Sequence, residues 1–275
     1  MTRRSTNILD IVAHSNFDNK DTWIGEAKFG FEYIRSFCEE LNPGSAVLEV
    51  GCGSGILMAM LSEAGASLRF EGIEPFGDGF QNLTELNSFL QENGMVIHNV
   101  GFEDYVSDKK YDLIYLVNVF EHLDSWRYFL EFVERYLTDN GVCVVLCPNY
   151  NVPYESHFGI PILINKRLTE KAFAKSIAAF EEENDCHGLW NSLNFVKLSE
   201  VKKEVGDTRL SLTINDKITE DMIDRIATDD EFRKRQRAVG SMGVMMKKLG
   251  LSKFFRLRLF QNLQPYMMIE FRLSR

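Results

Sequence analysis

The feature that most constrains this chain is a short apolar segment, residues 46–50, that runs directly into the sequence Gly-Cys-Gly-Ser-Gly at 51–55. The segment is apolar apart from Glu49, as a central parallel strand should be, and residues 56–64 then have helical character. Glycines at alternate positions let the backbone turn tightly and approach a ligand closely, where a Cβ would obstruct it. The sequence therefore predicts a strand, a tight loop and a helix that hold a nucleotide-like cofactor.

The spacing of these glycines separates two classes of cofactor. The dinucleotide fingerprint G-x-G-x-x-G would place its third glycine at position 56, where Ile56 stands, and the glycine comes one residue earlier at Gly55. Glu49 is unfavourable beside a diphosphate and favourable beside a cationic ligand. Here the chain resembles the class I S-adenosylmethionine-dependent methyltransferases, whose first motif is E-x-G-x-G-x-G. In that family the loop wraps the methionyl and ribose part of the cofactor, and the acid lies near its amino group.

A second acid supports an adenosine cofactor. Glu74 ends the next predicted strand, 25 residues after Glu49, where a carboxylate can accept hydrogen bonds from both ribose hydroxyls. Dinucleotide enzymes share this role, so Glu74 does not choose between the two classes. The resemblance also places an acid near the adenine amino group, either Glu103 or Asp104. The residues that it assigns to S-adenosylmethionine are Glu49, Gly51, Cys52, Gly53, Gly55, Glu74, Pro75, Phe102, Glu103, Asn118 and Val119.

Strand and helix signals alternate from about residue 30 to residue 147, with a predicted helix at 29–41 and a predicted short strand at 95–100. Predicted strands at 111–117 and 141–147 flank a helix at 124–137, which implies a parallel sheet with right-handed crossovers. Binding sites in such sheets lie beyond the C-terminal ends of the strands. With later strands at 208–214 and 266–273, the resemblance implies an α/β, Rossmann-like, doubly wound sheet of seven strands. The sheet is mostly parallel with the last strand antiparallel, and helical insertions follow the fifth and sixth strands.

We expect one methyltransferase domain over residues 1–275. It divides into an N-terminal helical cap (1–43), a cofactor-binding core (44–150), a lid or substrate insertion (151–197) and a C-terminal half (198–275) with a basic helical insertion at 216–262. A lid would exclude water and align the acceptor with the methyl group. An oligomer interface is the alternative for the same segment, and the oligomeric state stays open.

Composition bounds the cellular setting. A hydrophobic content of 45% over 275 residues is ample for a core, and no apolar run approaches the length of a membrane span. No apolar signal core follows the first residues, so we expect a cytoplasmic protein. The five cysteines include no C-x-x-C pair, which argues against a disulfide framework or a zinc knuckle.

Two histidines follow the fourth and fifth predicted strands. The sequence from Asn118 to Leu123, with Glu121-His122-Leu123 at its end, resembles small-molecule methyltransferases, including those that methylate quinone precursors. In the quinone group the pattern E-x-x-E-H can hold a divalent metal. Asn118 replaces the first acid and supplies only one neutral oxygen, so we predict no metal. His122 is then a general base, a substrate contact or a residue that orients the loop by hydrogen bonding.

The loop 148–161 combines aromatic residues, an acid and a histidine where the acceptor should enter. His157 is the leading candidate for a general base, and capping of a turn before the next helix is its alternative role. The residues predicted to shape the acceptor pocket are Tyr150, Tyr154, Glu155 and Trp190.

The C-terminal part of the chain has a charge of its own. Residues 233–275 contain eleven Lys or Arg and one acid, Glu270, a net charge of +10 in a chain whose net charge is −9. They could contact an anionic substrate, a lipid surface or RNA. Nucleic acid is the least favoured because the whole chain is acidic and lacks a recognised binding module. Packing of basic helices on the acidic body of the protein is the intramolecular alternative.

The sequence thus predicts transfer of a methyl group from S-adenosylmethionine to a small molecule, with S-adenosylhomocysteine as product. A hydroxyl of a metabolite that is anionic, or linked to a lipid or nucleotide, is the expected acceptor. Nitrogen and carbon acceptors stay open, although the N/D-P-P-Y motif of many amino-group methylases is absent. The alternatives are a nicotinamide-dependent oxidoreductase, which Ile56 and Glu49 disfavour, and a non-catalytic scaffold, which would not need the ribose acid.

Overall fold

The structure, a computed structural model, describes residues 8–13, 15, 20–65, 67–77, 80, 83–228, 245 and 247–274. Its helices are α1 Ile8–Ala13, α2 Lys20–Glu39, α3 Ile56–Ala64, α4 Thr84–Glu92, α5 Trp126–Tyr136, α6 Lys166–Glu183, α7 Leu189–Ser192, α8 Leu198–Val205 and α9 Ile218–Thr228. Its strands are β1 Ala46–Val50, β2 Arg69–Ile73, β3 Ile97–His98, β4 Tyr111–Val117, β5 Leu137–Pro148, β6 Tyr154–Glu155, β7 Ile160–Pro161, β8 Leu210–Ile214 and β9 Tyr266–Leu273. Short 3₁₀ helices lie at Phe120–His122, Leu251–Arg256 and Gln261–Leu263.

Seven strands form one sheet in the order β3-β2-β1-β4-β5-β9-β8. Strand β1 pairs in parallel with β2 and with β4, and β2 pairs in parallel with β3. All five residues of β1 are buried, as expected where helices cover both faces of a parallel sheet. The chain order reverses between β1 and β4, and the carboxyl ends of strands at such a switch point form a ligand crevice. The sheet is mostly parallel with one antiparallel strand, which confirms the predicted Rossmann-like fold.

Several boundaries differ from the predicted ones. Helix α2 begins at Lys20 rather than at Phe29, because Ile24 and Ala27 are already buried at helical spacing. A Cβ at Gly30 would lie 2.6 Å from Leu57 of α3, so glycine lets these two helices approach closely. Strand β3 has two residues instead of the six predicted for it. Strand β5 begins at Leu137, directly after α5, four residues before its predicted start.

Packing divides the chain into two units. The first comprises the described residues of Met1–Val117, Arg127–Val144 and Phe271–Arg275, and the second comprises those of Asn118–Trp126 and Val145–Glu270. The predicted segment boundaries at 43, 150 and 197 stay predictions. Among the described helices, none combines the length and the apolar character needed to cross a membrane.

The second unit is organised around one buried amide. Asn149 is 2% exposed, and its Nδ2 donates to the carbonyl oxygens of Asn262 at 3.0 Å and Gln264 at 2.7 Å. Its Oδ1 accepts from the backbone N–H groups of Asn151 and Leu198, at 3.1 and 3.0 Å. The side chain therefore uses both its donors and both its acceptor positions to join β5, α8 and the segment that enters β9.

Replacing Asn149 with aspartate should destabilise the fold strongly. The carboxylate keeps the two acceptor positions but loses both donors and faces two carbonyl oxygens, at about 1–3 kcal/mol for each lost hydrogen bond. We expect the free energy of unfolding, measured in urea, to fall by several kcal/mol. Asn184→Asp is the control, because among the described residues its exposed amide donates to the carbonyl of Phe180 alone, and this change should alter stability by less than about 1 kcal/mol. Equal losses in the two variants would contradict this role of Asn149.

Candidate active site

The glycine loop that follows β1 has the backbone that its sequence predicts. Gly51, Gly53 and Gly55 have φ values of 72°, 50° and 83°, in the left-handed region that residues other than glycine rarely adopt. A Cβ at Gly55 would also lie 3.1 Å from both Leu90 and Ile97. The N–H of Gly51 donates to the carbonyl of Ile73 at 2.8 Å, which ties the loop to the end of β2. The positive φ values and the close packing at Gly55 therefore both require glycine in this loop.

Glu74 follows β2 and faces this loop. Its side chain is nearly buried, its Oε2 accepts from the N–H of Gly53 at 2.8 Å, and its Oε1 accepts from the N–H of Phe76 at 2.9 Å. Burial raises the pKa of the carboxyl group, and the two backbone donors oppose that rise. Each carboxylate oxygen has two acceptor positions, so each can accept one further O–H. This arrangement fits a ligand with two neighbouring hydroxyls, such as a ribose.

Glu49 lies within β1 and is 4% exposed. Its Oε2 accepts from the hydroxyl of Tyr115 on β4 at 3.0 Å. Burial raises the pKa of Glu49 to about 8, with a contribution from the charge of Glu74, although the Tyr115 hydrogen bond lowers it. At neutral pH the carboxyl is therefore largely protonated, and a cation beside it would favour the carboxylate. The loop, Glu74 and Glu49 together fit a cationic, ribose-bearing cofactor.

The raised pKa of Glu49 gives a pH-dependent prediction for the cofactor-free protein. The pKa of the Glu49 carboxyl group is about 8 in the folded protein, against an ordinary 4.5. As the pH rises from 4.5 to 8, the carboxyl group ionises in the unfolded chain before it does in the folded protein, so the folded protein loses stability. We expect Glu49→Gln to gain stability relative to the parent by up to about 1.4 kcal/mol per pH unit in this range. Denaturant unfolding at several pH values measures the difference. A difference that does not change with pH would show that Glu49 is ionised throughout.

The other residues assigned to the cofactor in the first unit occupy different environments. Cys52 is buried, Pro75 and Glu103 are exposed, and Phe102 is buried with its ring centroid 5.5 Å from that of Phe129. Sequence reasoning missed Asn87, which is 1% exposed and donates to the carbonyl of Gly53 at 2.7 Å. A polar residue on the buried face of α4 was its only signal. The cofactor roles of these residues stay predictions.

In the second unit, the segment after β4 begins with a strained residue. Asn118 has a φ of 55°, which asparagine tolerates better than most residues. Its Oδ1 accepts from the hydroxyl of Tyr266 at 2.5 Å, and its N–H donates to the carbonyl of Leu146 at 2.8 Å. Val119, half-buried, then accepts from the N–H of His122 at 2.8 Å and closes a turn. Tyr266 was not predicted as a site residue, because nothing in the sequence connects it with Asn118.

Two histidines converge on a buried carboxylate in the same unit. Glu121 is fully buried, and its Oε1 lies 3.9 Å from Nε2 of His122 and 4.0 Å from Nε2 of His157. The centroids of the two imidazole rings are 5.4 Å apart. Nδ1 of His122 is 2.8 Å from Oγ of Ser192, and that hydroxyl donates to the carbonyl of Leu189. Ser192 therefore accepts from Nδ1–H of His122, which directs Nε2 of this ring toward Glu121.

His157 is oriented by a second carboxylate. Its Nδ1 is 2.7 Å from Oε1 of Glu155, whose side chain is fully buried. Burial alone would raise the pKa of Glu155, but His157 and the backbone N–H groups of His157 and Phe158 outweigh burial and hold the pKa below its ordinary value. An ionised Glu155 accepts from Nδ1–H of His157 and leaves Nε2 as the basic nitrogen.

The two histidines differ in their electrostatics. Burial holds the pKa of His122 well below its ordinary value. The charge of His157, when that ring is protonated, and the charge of Lys166 lower it further. His122 is therefore neutral at physiological pH. The side chain of His157 is 25% exposed and is the more accessible of the pair.

This cluster could also hold a metal ion. Glu121, His122 and His157 each offer one ligand atom, and these atoms lie within 4.8 Å of one another. Ligands about 2.0–2.1 Å from a tetrahedral zinc ion are roughly 3.3 Å apart, so the 3.9 and 4.0 Å separations would have to shorten. The sequence predicted no metal because Asn118 replaces an acid. The structure places His157, rather than Asn118, beside Glu121 and His122.

The residues predicted to shape the acceptor pocket fall into two groups. Tyr150 is buried, and its hydroxyl donates to Oε1 of Glu155 at 3.2 Å, so it belongs to the histidine cluster. Tyr154 is half-buried on β6, next to Glu155. Trp190 is 2% exposed and packs against the rings of Phe158 and Phe195 in the aromatic core of the second unit. Acceptor contacts by these side chains stay predictions.

Comparison with known proteins identifies the family. The chain belongs to the family whose model is described as "Methyltransferase domain", which matches residues 27–193. It is an S-adenosylmethionine-dependent class I methyltransferase, and S-adenosylmethionine is its cofactor. Among the predicted alternatives, membership of this family decides against the nicotinamide oxidoreductase and the non-catalytic scaffold.

Curated relatives include an uncharacterized protein of Mycobacterium tuberculosis (strain H37Rv). It is 32% identical over 215 residues, which cover 77% of this chain and 73% of that protein. A ubiquinone biosynthesis O-methyltransferase of Rickettsia conorii is 26% identical over 101 residues, which cover 36% of this chain and 33% of that protein.

Solved structures share the fold at low sequence identity. A cyclopropane synthase from M. tuberculosis aligns with a TM-score of 0.53 and 17% identity, over 97% of this chain and 92% of that one. A geranyl diphosphate C-methyltransferase from Streptomyces coelicolor A3(2) aligns with a TM-score of 0.52 and 15% identity, over 90% of this chain and 79% of that one. At these sequence identities the likeness concerns the fold alone.

Proposed function

We propose that this methyltransferase methylates a hydroxyl oxygen of a small-molecule acceptor and that His157 takes the hydroxyl proton. The observation that carries the proposal is the 2.7 Å contact between Nδ1 of His157 and a fully buried Glu155. This contact selects the tautomer in which Nε2 is basic and stabilises the imidazolium that proton transfer creates. Nε2 lies 4.0 Å from Oε1 of Glu121, and an ionised carboxylate there would also favour that imidazolium.

The chemistry needs only a positioned acceptor and a proton acceptor. When bound, S-adenosylmethionine supplies an electrophilic methyl group on a sulfonium. The acceptor oxygen forms the new O–C bond, the S–C bond breaks to leave a neutral thioether, and the hydroxyl proton passes to Nε2 of His157. Positioning contributes roughly 7–11 kcal/mol of barrier reduction, and a general base adds about 10²–10⁴-fold. Neutral His122 is the second proposed contact of the acceptor hydroxyl.

The order of the elements along the chain supports separate roles for the cofactor residues and for the histidines. The glycine loop follows the carboxyl end of β1, and Asn118–His122 follow the carboxyl end of its parallel neighbour β4. The proposed cofactor residues in the second unit, Asn118 and Val119, stand at the start of that segment. The match to proteins named as O-methyltransferases supports oxygen as the acceptor atom. The basic residues near the C-terminus favour an anionic acceptor, or one linked to a lipid or nucleotide.

Label transfer tests the acceptor. The purified protein would be incubated with S-adenosylmethionine carrying a ¹³C methyl group and a fractionated small-molecule extract, and the labelled product analysed by NMR and mass spectrometry. We expect the carbon shift of a methyl ether, because a methyl ester would report a carboxylate acceptor rather than a hydroxyl. Label on carbon or nitrogen would overturn the hydroxyl assignment while leaving the methyltransferase class intact. Incubation with Glu74→Ala, which is expected not to bind the cofactor at micromolar concentration, controls for non-enzymatic labelling.

Removal of metal should leave turnover unchanged. If His157 acts as a base through Nε2, that nitrogen is not a metal ligand, and dialysis against a chelator removes nothing that the reaction needs. Turnover before and after dialysis, together with the metal content of the parent and of His122→Ala, measures this. Loss of turnover that zinc restores would instead assign Glu121, His122 and His157 as ligands.

A further inference from the structure

A short segment of the second unit exposes apolar side chains between cations. Residues 247–263 contain five Lys or Arg and no acid. Leu259 is 82% exposed, and five other large apolar residues of this part of the chain are about half exposed or more: Met245, Leu249, Phe254, Leu257 and Leu263. We call residues 247–263 the basic-apolar segment. Leucines that are exposed to this extent, in a segment that contains cations and no acid, indicate a binding surface.

The backbone holds these side chains in successive tight turns. The backbone N–H of Leu257 donates to the carbonyl of Phe254 at 3.0 Å. In the same way, the N–H of Phe260 donates to the carbonyl of Leu257 at 2.8 Å, and the N–H of Leu263 donates to the carbonyl of Phe260 at 2.9 Å. The ring centroids of Phe254 and Phe260 lie 6.2 Å apart in an edge-on contact. The leucines are therefore displayed by hydrogen-bonded turns, and little ordering would be needed on binding.

Two of the five cations are neutralised within the protein. Lys247 pairs with Asp224, and Arg256 pairs with Glu220, both on α9. These two ion pairs are intramolecular contacts of the kind that the sequence offered as an alternative, in which basic residues pack against acidic parts of the same protein. Lys248, Lys253 and Arg258 have no acidic partner among the described residues. The basic residues Arg233 to Arg237 lie outside the described residues.

A neighbouring lysine adds to the uncompensated charge. Nζ of Lys202 on α8 donates to Oδ1 of Asn262, within the basic-apolar segment, at 2.7 Å. Burial and the positive charge of Arg258 lower the pKa of Lys202. Two cations that repel each other beside exposed leucines would be stabilised by an anion in the same place.

We propose that the basic-apolar segment binds the surface of an anionic lipid bilayer. Phospholipid phosphates would neutralise Lys253, Arg258 and Lys202, while Leu257 and Leu259 enter the region between headgroups and acyl chains. RNA is a poorer match because its bases stack on aromatic rings, whereas the most exposed apolar side chain here is a leucine. This inference does not depend on the proposed acceptor or on the role of His157.

Vesicle binding tests the proposal. The full-length protein would be sedimented with vesicles of phosphatidylcholine alone and with vesicles of equal parts phosphatidylcholine and phosphatidylglycerol. We expect binding only to the anionic vesicles, weakened by salt. Arg258→Gln should weaken binding about fivefold, the factor that corresponds to about 1 kcal/mol per cation at a membrane surface. Leu259→Ser should weaken it by roughly tenfold, because an inserted leucine is lost.

Matched variants distinguish binding through the basic-apolar segment from non-specific binding through any exposed cation or apolar side chain. Lys175→Gln removes an exposed cation on α6, and Val106→Ser removes a 78% exposed apolar side chain from the first unit. Both should bind anionic vesicles like the parent. Ile164→Ser tests an apolar residue of the second unit outside the basic-apolar segment, which is 90% exposed. Melting curves establish that each variant is folded.

Three results would overturn the proposal. The first is no sedimentation of the parent with anionic vesicles. The second is equal binding to both vesicle types, which would remove the electrostatic part. The third is loss of binding in Ile164→Ser with full binding in Leu259→Ser and Arg258→Gln, which would place the docking surface before α6 instead.

Discussion

Replacing His157 with alanine should slow methyl transfer about 10²–10⁴-fold and leave the affinity for S-adenosylmethionine nearly unchanged. The imidazole is the proposed proton acceptor, and Glu155 fixes its tautomer from a buried position 2.7 Å away. Without it, the hydroxyl must lose its proton to water while positioning by the rest of the site persists. Single-turnover rates measure the chemical step, and calorimetric titration with the cofactor measures binding.

Two further variants sharpen this test. Glu155→Gln keeps the size of the side chain but removes the charge that stabilises the imidazolium, so it should also lower the rate without altering cofactor affinity. His187→Ala is the control, because His187 is an exposed histidine 3.5 Å from the carboxylate of Glu182 and lies outside the histidine cluster. We expect His187→Ala to behave like the parent.

His122→Ala distinguishes a contact from a base. His122 is neutral and buried, so its loss should slow turnover through poorer positioning of the acceptor. If His122→Ala and His157→Ala both turn over like the parent, neither histidine is a base, and positioning alone accounts for the reaction.

Replacing Glu74 with alanine should abolish micromolar binding of S-adenosylmethionine. The carboxylate can accept from two ribose hydroxyls, and hydrogen bonds to a charged group contribute about 1.5–3 kcal/mol each. Their loss corresponds to a rise in Kd of at least about a hundredfold. The variant also frees the N–H groups of Gly53 and Phe76, so the glycine loop loses one of its supports.

Calorimetry and thermal melting measure this effect. Cofactor at about a hundredfold excess over its Kd stabilises the parent by about 2.7 kcal/mol, and the variant should show no such shift. Glu71→Gln is the matched control, because Glu71 is a buried acid of β2, the strand that Glu74 follows, and is held by Lys109 and Tyr111. Unchanged affinity in Glu74→Ala would mean that the ribose is held elsewhere.

Much of the first unit could be predicted from local sequence. Strand β1 and helix α3 have their predicted bounds, and the glycines between them have the positive φ values that their spacing indicated. Strand period, helix period and the conformational freedom of glycine are properties of a few consecutive residues. Helix α2 was predicted too short because burial of Ile24 and Ala27 depends on what packs against them.

The histidine cluster shows what local sequence could not determine. His157 meets Glu121 across 36 positions, and Tyr266 binds Asn118 across 148. Sequence reasoning selected both histidines and Glu155 by type and place, but it did not join them or include Tyr266. The chain by itself determined the strand–loop–helix unit, its cofactor class and the residues available beyond the strand ends. Only the tertiary structure decided which of those side chains face one another, because packing of elements distant in sequence sets the distances between loops.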